Sequence, residues 1–300
     1  MSKIVAITGA SGLFGSALAT QLASSGYTIL KLVRKKEEAG EYAAYWNPVT
    51  KEIDLEKLSQ ASCVVHLAGK NIAAGRWNDE LKKELLESRV DGTTFLSASL
   101  SKLNNPPGSL ICASAVGIYG ERGNQVLHDA APPGEGFLAK IGQAWENSSS
   151  AAESAGIRVV RLRIGIVLSK EGGALAQMLP IFKLGIGGRL GNGNQYMSWI
   201  SLRDLIRMIK FTIEDCNVYG TFNAVSPNPV TNTEFTRELA KALRRPALLP
   251  VPAFLLKIVM GEMADQLLLT SIRAVPKRLL DLGFSFEDKD LQSALQNILH

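Results

Sequence analysis

The sequence predicts an α/β fold: a doubly wound parallel sheet with a smaller C-terminal domain. Three observations carry this. Short β-type runs alternate with helical patterns through the first half, the signature of a parallel sheet covered by helices. Spaced glycines lie between the first strand and the first helix. From about residue 170 the composition shifts to glycine-rich and proline-rich segments. With 300 residues, 46% of them hydrophobic, the chain can fill one large core or two modest ones and is too apolar to be disordered.

In order, the strands are expected at KIVAIT, TILKLV, CVVHLA, SLICAS and RVVRLRIGIVL. Between the first two, Phe14, Leu18 and Leu22 recur every four residues and Gly26 follows, which predicts an amphipathic helix with a C-terminal stop. Further on, Thr231 and Glu234 have capping-box spacing, and Phe235, Leu239 and Leu243 form the apolar stripe of the helix they start. The run VPAFLLKIVMG is interrupted by Lys257, is too short to span a membrane, and reads as a buried helix.

Composition excludes several function classes. The 33 basic residues against 28 acidic ones give +5, but they are interspersed apart from Arg34-Lys35-Lys36, a weak pattern for nucleic acid. Cys63, Cys112 and Cys216 are far apart, unlike a metal site or a disulfide frame. His66, His128 and His300 are dispersed, and His66 is expected to cap a buried strand end. With no long apolar run and no signal-peptide pattern at the start, the expectation is a cytoplasmic protein without membrane or nucleic-acid partners. A homodimer stays open.

Gly9, Gly12 and Gly15 sit between a strand ending at Thr8 and a helix opening with Leu13 and Phe14. A phosphate cradle needs that placement: absent side chains let the backbone approach a pyrophosphate, and the helix N-terminus offers unpaired N–H groups. The fold expectation thus becomes a Rossmann-type nucleotide-binding domain over 1–170, with a returning segment at 196–225. The remaining 171–195 and 226–300 form the smaller substrate or lid domain. An NAD site usually carries an acid at the end of the second strand for the ribose 2′-hydroxyl. Here Val33 leads into Arg34-Lys35-Lys36 with no acid. A guanidinium can grip a 2′-phosphate, so NADP(H) is the predicted cofactor; a solvated basic loop is the alternative.

TGASGLFG, VVHLAG and ASAVGIYG resemble the extended short-chain dehydrogenase/reductase superfamily, which includes nucleotide-sugar epimerases. GKNIAAGRWNDELKKELLESRVDGT, MLPIFKLGIGGRLGNGNQYMSWISLRDL and VPKRLLDLGFSFEDKDLQSAL are similar to its atypical branch of epimerase-family, cell-division-inhibitor-like NADP-binding proteins. The resemblance implies that Leu67, Ala68 and Gly69 border the adenosine and pyrophosphate, that Glu84 and Arg89 lie near the cofactor, and that Val167 touches the nicotinamide amide. Strand-end packing, a helix-surface ion pair and a core valine are the plainer readings of these same residues.

The superfamily usually moves its proton through a Tyr-x-x-x-Lys pair. The helix expected to hold it, in GFLAKIGQAWE, has no tyrosine: Phe137 is the nearest aromatic, with Lys140 three residues on. Tyr27 and Lys31 match the spacing but lie in the second strand. By resemblance, Ser114 hydrogen-bonds a substrate oxygen; Tyr119 in the same loop is either an acid-base group or a pocket wall. Arg189, Gln195 and Trp199 in GIGGRLGNGNQYMSW suggest either a ligand lid or a surface connection anchored by its tryptophan. Ligands of such sheets sit beyond the carboxyl ends of the strands, which would gather Ser114, Tyr119 and the 185–195 segment around one cleft. Two functions follow: an NADP-dependent oxidoreductase or epimerase-like enzyme on an unnamed small molecule, or a non-catalytic NADP(H) sensor.

Overall fold

The computed structural model describes residues 3–300. Its chain divides into two compact units. The first comprises 1–114, 143–162 and 206–220; the second comprises 115–142, 163–205 and 221–300. These bounds differ from the expected 1–170 boundary. Residues 115–142 and 163–170 fall in the second unit, and the returning segment is the shorter 206–220. The division is nearly equal rather than one large and one small part.

The first unit is built on β1 (Ile4–Thr8), β2 (Thr28–Val33), β3 (Ala43–Asn47), β4 (Glu52–Ile53), β5 (Cys63–His66), β6 (Ser109–Ala115) and the strand Arg158–Ile164. Their order across the sheet is Arg158–Ile164, β6, β5, β1, β2, β3, β4. β1 pairs parallel with both β2 and β5, β5 with β6, and β2 with β3, while β4 is antiparallel to β3. The central strands are buried on both faces, which is why IVAIT and CVVH are continuous apolar runs with no alternation. Successive strands proceed outward from β1 to β3, then the chain crosses to β5 on the other side. The switch point at the β1–β5 edge is where such sheets open a crevice for ligands.

The helix Leu13–Ser24 follows β1, with Leu18 and Leu22 fully buried and Gly26 at φ +85° after its last turn. Truncating either leucine to alanine would cost about 2–5 kcal/mol. The long helix Asp79–Leu100 begins where the Asn78 side chain accepts from Leu81 N at 2.8 Å, and its Leu96 and Leu100 join the core with Leu30, Trp46 and Val64.

The run expected as one strand breaks into Arg158–Ile164, most of it in the first unit, and Ile166–Leu168 in the second. Gly165 lies at the break, where a Cβ would meet Ser198 O at 2.4 Å. The Asn232–Leu243 helix is capped as expected, Thr231 Oγ1 accepting from Glu234 N at 3.2 Å. Phe235 and Leu239 pack with Trp199, Leu179 and Leu295. The helix Ala253–Met260 departs from expectation: none of its residues is buried. Ala253, Leu256 and Met260 are half-covered, but Phe254, Leu255, Ile258 and Val259 face solvent. An apolar sequence cannot by itself distinguish a buried helix from one displaying its apolar face.

Candidate functional site

The spaced glycines form a tight turn between β1 and the helix Leu13–Ser24. Gly9 has φ +68°, and a Cβ there would stand 3.0 Å from Ala68 N and Leu67 C. At Gly15 a Cβ would stand 2.2 Å from Gly9 O. The turn closes with Gly12 N donating to Gly9 O at 3.0 Å. The helix that follows has no side-chain cap and no acid in its first turn, so its N-terminal donors and partial positive charge are left for an anion. A dinucleotide pyrophosphate fits that cradle.

Beneath the turn lies a buried polar network whose direction can be deduced. Thr8 Oγ1 accepts from Leu67 N at 3.0 Å and Ala68 N at 3.2 Å, so its own proton goes to His66 Nδ1, 2.7 Å away. His66 is therefore the Nε2–H tautomer, donating to Thr93 Oγ1 at 3.0 Å. Thr93 also accepts from Trp145 Nε1 at 3.1 Å and donates to Arg89 O at 2.6 Å. His66 is fully buried, and burial pushes its pKa down to about 4, so it is neutral. The network clamps Leu67–Ala68 against Gly9. The sequence placed Thr8 and His66 at strand ends but carried no sign of Thr93 or of the bonds among the three, which form only once β1, β5 and the 79–100 helix are adjacent.

Arg34 is exposed at the end of β2. Its neighbours are engaged, Lys35 with Glu38 at 3.6 Å and Lys36 with Glu52 at 2.6 Å. Among the described residues Arg34 has no ion pair, which leaves its guanidinium for a ligand. Arg89 is half-buried. It donates to Leu85 O at 3.0 Å, lies over the Trp145 ring at 5.2 Å, and would touch a Cβ at Gly69 at 3.7 Å. Burial lowers its pKa to about 10. Glu84 does not pair with Arg89; it bonds Lys70. The cofactor candidates Gly9, Gly12, Gly15, Leu67, Ala68, Gly69 and Arg89 thus converge at the ends of β1 and β5, whereas Glu84 is a surface partner of Lys70.

Ser114, near the end of β6, is buried, and its Oγ donates to Glu146 Oε1 at 2.7 Å. With that proton committed, the oxygen meets any ligand as an acceptor. Glu146 went unnoticed in the sequence, although the helical period could have found it. Leu138, Gly142 and Glu146 are spaced by four on the helix Phe137–Asn147. A Cβ at Gly117 would touch Leu138 at 3.3 Å, and one at Gly142 would stand 2.8 Å from Ile118 Cβ. The positions facing the 116–119 turn are therefore Leu138 and Gly142, one residue out of register with the expected Phe137 and two with Lys140. Neither carries a proton.

In the second unit Tyr119 is fully buried. Its hydroxyl donates to Asn223 Oδ1 at 2.7 Å and accepts from Arg163 Nη1 at 2.8 Å, while burial raises its pKa. A hydroxyl so enclosed cannot meet a substrate, and Tyr119 is a packing and hydrogen-bonding residue rather than an acid-base group. Val167 is buried, in parallel register with Ile200. Gln195 Nε2 donates to Leu190 O and Leu268 O at 3.1 and 3.0 Å, and the buried Trp199 donates to Asn228 O at 3.0 Å. Both anchor the glycine-rich segment; only Arg189 is exposed. Of the two readings of this segment, these contacts favour the surface connection anchored by its tryptophan, because a side chain bound to its own unit's carbonyls is not presented to a ligand. A cavity of about 540 Å³ opens among Gly117, Gly120, Gly136, Leu138, Gln266 and Thr270. Arg122 at its rim is already spent on Tyr119 O, Pro132 O and Pro133 O. The described residues include no cluster able to hold a metal ion.

Residues 5–225 match the model of the NAD dependent epimerase/dehydratase family, and 251–298 match a domain of unknown function, DUF1731. The chain is 42% identical over 294 residues to epimerase family protein Mb2239 of Mycobacterium bovis, covering 98% of this chain and 97% of the relative. It is 31% identical to human epimerase family protein SDR39U1, covering 98% and 99%. A crystal structure of human SDR39U1 with NADPH superposes with a TM-score of 0.89 at 29% identity, covering 98% of both chains. A UDP-N-acetylglucosamine 4-epimerase from Bacillus cereus, 18% identical with a TM-score of 0.77, shares the fold. With its glycine turn at the switch point of a parallel sheet and this match over most of its length, the chain belongs to the NAD dependent epimerase/dehydratase family.

Proposed function

We propose that the first unit binds NADP(H) and that the protein is an oxidoreductase or epimerase-like enzyme acting on a small molecule without a Tyr-Lys pair. The observation that carries the cofactor choice is Arg34, a guanidinium without an ion pair among the described residues, directly after the last residue of β2, at the position where an NAD site would carry an acid, while the nearby Glu38 and Glu52 are paired with Lys35 and Lys36. The NADPH bound by human SDR39U1 supports the same reading. Gly9, Gly12, Leu13, Phe14 and Gly15 would hold the pyrophosphate, Val33 and Arg34 the adenosine ribose, and Leu67, Ala68, Gly69 and Arg89 the opposite wall. When bound, the nicotinamide supplies hydride chemistry. Ser114 Oγ accepts from a ligand hydroxyl while its own proton rests on Glu146 Oε1, so the pair can hold and relay one proton.

Calorimetry tests the cofactor assignment. NADPH should bind at least about tenfold tighter than NADH, equivalent to ~1.4 kcal/mol, and Arg34→Ala should erase the difference. Equal affinities in the wild type would overturn it. A second reading, a non-catalytic NADP(H) sensor, is favoured by Gly142, whose position against Ile118 admits no side chain that could carry an ammonium. Turnover of bound NADPH across a metabolite panel decides for the enzyme. Tight NADPH binding with no turnover decides for the sensor.

A further inference from the structure

Two segments of the second unit run side by side and share an unusual composition. Residues 181–191, IFKLGIGGRLG, and 244–261, RRPALLPVPAFLLKIVMG, contain five basic residues and not one acid. Their adjacency is structural: Val251 N donates to Arg189 O at 2.8 Å, Gly191 N donates to Val251 O at 2.9 Å, and Leu190 bridges in parallel to Val251. A Cβ at Gly185 would touch Pro246, and one at Gly191 would lie 3.7 Å from Ala253 Cβ.

The apolar side chains of this paired surface point outward. Leu184 is 75% exposed, Leu248 82%, Phe254 61%, Ile258 64% and Val259 71%, with Ile181, Ile186, Leu249 and Leu255 also exposed. Together they present on the order of 1,000 Å² of apolar surface, beyond the ~300–600 Å² of the largest patch on an ordinary monomer. Phe254, Leu255, Ile258 and Val259 fall at helical spacing on one face, while Leu256 and Met260 are half-covered on the other. A helix so arranged hides nothing by folding.

The charges decide what covers it. Lys257 pairs with Asp265 at 2.9 Å. Lys183, Arg189, Arg244 and Arg245 are exposed and have no ion pair among the described residues. Against a second copy of the same face these four cations would meet mainly like charge: neither segment holds an acid, Asp265 is paired with Lys257, and Glu262 lies just past the helix. An anionic bilayer surface supplies both an apolar layer and the opposite charge. We infer that this face of the second unit is a peripheral docking surface for anionic lipid membrane, the Ala253–Met260 helix lying in the interface with its exposed apolar stripe among the acyl chains and Lys183, Arg244 and Arg245 at the headgroups. No helix of the described residues is long and apolar enough to cross a membrane.

The test is co-sedimentation of the full chain with vesicles of phosphatidylcholine alone or with about one-third phosphatidylserine. Binding should be at least about tenfold stronger to the anionic vesicles and should weaken as salt is raised from ~0.1 to ~0.5 M. The Ile258→Glu/Val259→Glu variant should lose binding to both compositions with an unchanged melting temperature, because these side chains support no core. Lys183→Glu/Arg245→Glu should lose the preference for phosphatidylserine. Two results would overturn the inference: no binding to anionic vesicles, or wild-type dimerisation abolished by the Ile258/Val259 variant without vesicle binding, which would make a second copy the occupant.

Discussion

Acidification should expose the cost of keeping His66 neutral beneath the glycine turn. In the folded protein its pKa is about 4, against about 6.5 when unfolded, because the ring is buried and its Nδ1 is committed as an acceptor from Thr8. As pH falls below 6.5 the unfolded chain takes up a proton that the native state refuses. Stability therefore declines between about pH 6.5 and 4 and levels off below. Linkage over that window gives a loss of about 2 kcal/mol by pH 5 and about 3 kcal/mol by pH 4 from this one group. Carboxylates contribute in the same range, so the measurement is a difference: urea unfolding followed by circular dichroism from pH 7.5 to 4, for the wild type and His66→Leu. The variant is less stable at neutral pH, having lost two hydrogen bonds, but its decline toward pH 5 should be shallower than the wild type's by that ~2 kcal/mol. Parallel pH profiles would refute the buried, neutral tautomer, and with it the deduced direction of the Thr8–His66–Thr93 chain.

Gly15→Ala should lower NADPH affinity by more than about tenfold, since its Cβ would press to 2.2 Å of Gly9 O and force the turn open; Gly40→Ala, with open space around it, is the calorimetric control and should leave affinity intact. Tyr119→Phe should destabilise the protein by about 2 kcal/mol, by leaving the buried Asn223 Oδ1 without its hydroxyl donor and removing one acceptor of Arg163 Nη1, and should leave NADPH affinity unchanged. A Tyr119→Phe variant of wild-type stability that loses turnover would return the tyrosine to the reaction.

Much of the first unit is local physics, and the sequence alone determines it. β-branched and aliphatic runs buried on both faces mark their own strands, and TILKLV is observed as the strand Thr28–Val33 without a shift at either end. The glycine turn is equally legible, because its glycines, the strand before it and the helix after it lie within about a dozen residues. So is the Thr231 cap, which needs only its own side chain and the third N–H of its helix. Tertiary structure decided the rest. Thr8, His66 and Thr93 are separated by tens of residues, and only pairing of β1 with β5 turns them into a network. Whether Tyr119 offers a free hydroxyl or a buried wall is open in the sequence, and only Arg163 and Asn223, distant in the chain, enclose it. The register of the 137–147 helix, which faces Leu138 and Gly142 toward the 116–119 turn, depends on how the helix rotates about its axis, and packing sets that rotation. The apolar Ala253–Met260 helix shows the limit most plainly: hydrophobicity tells that a face seeks cover, and only the folded chain shows that its own residues leave that face bare.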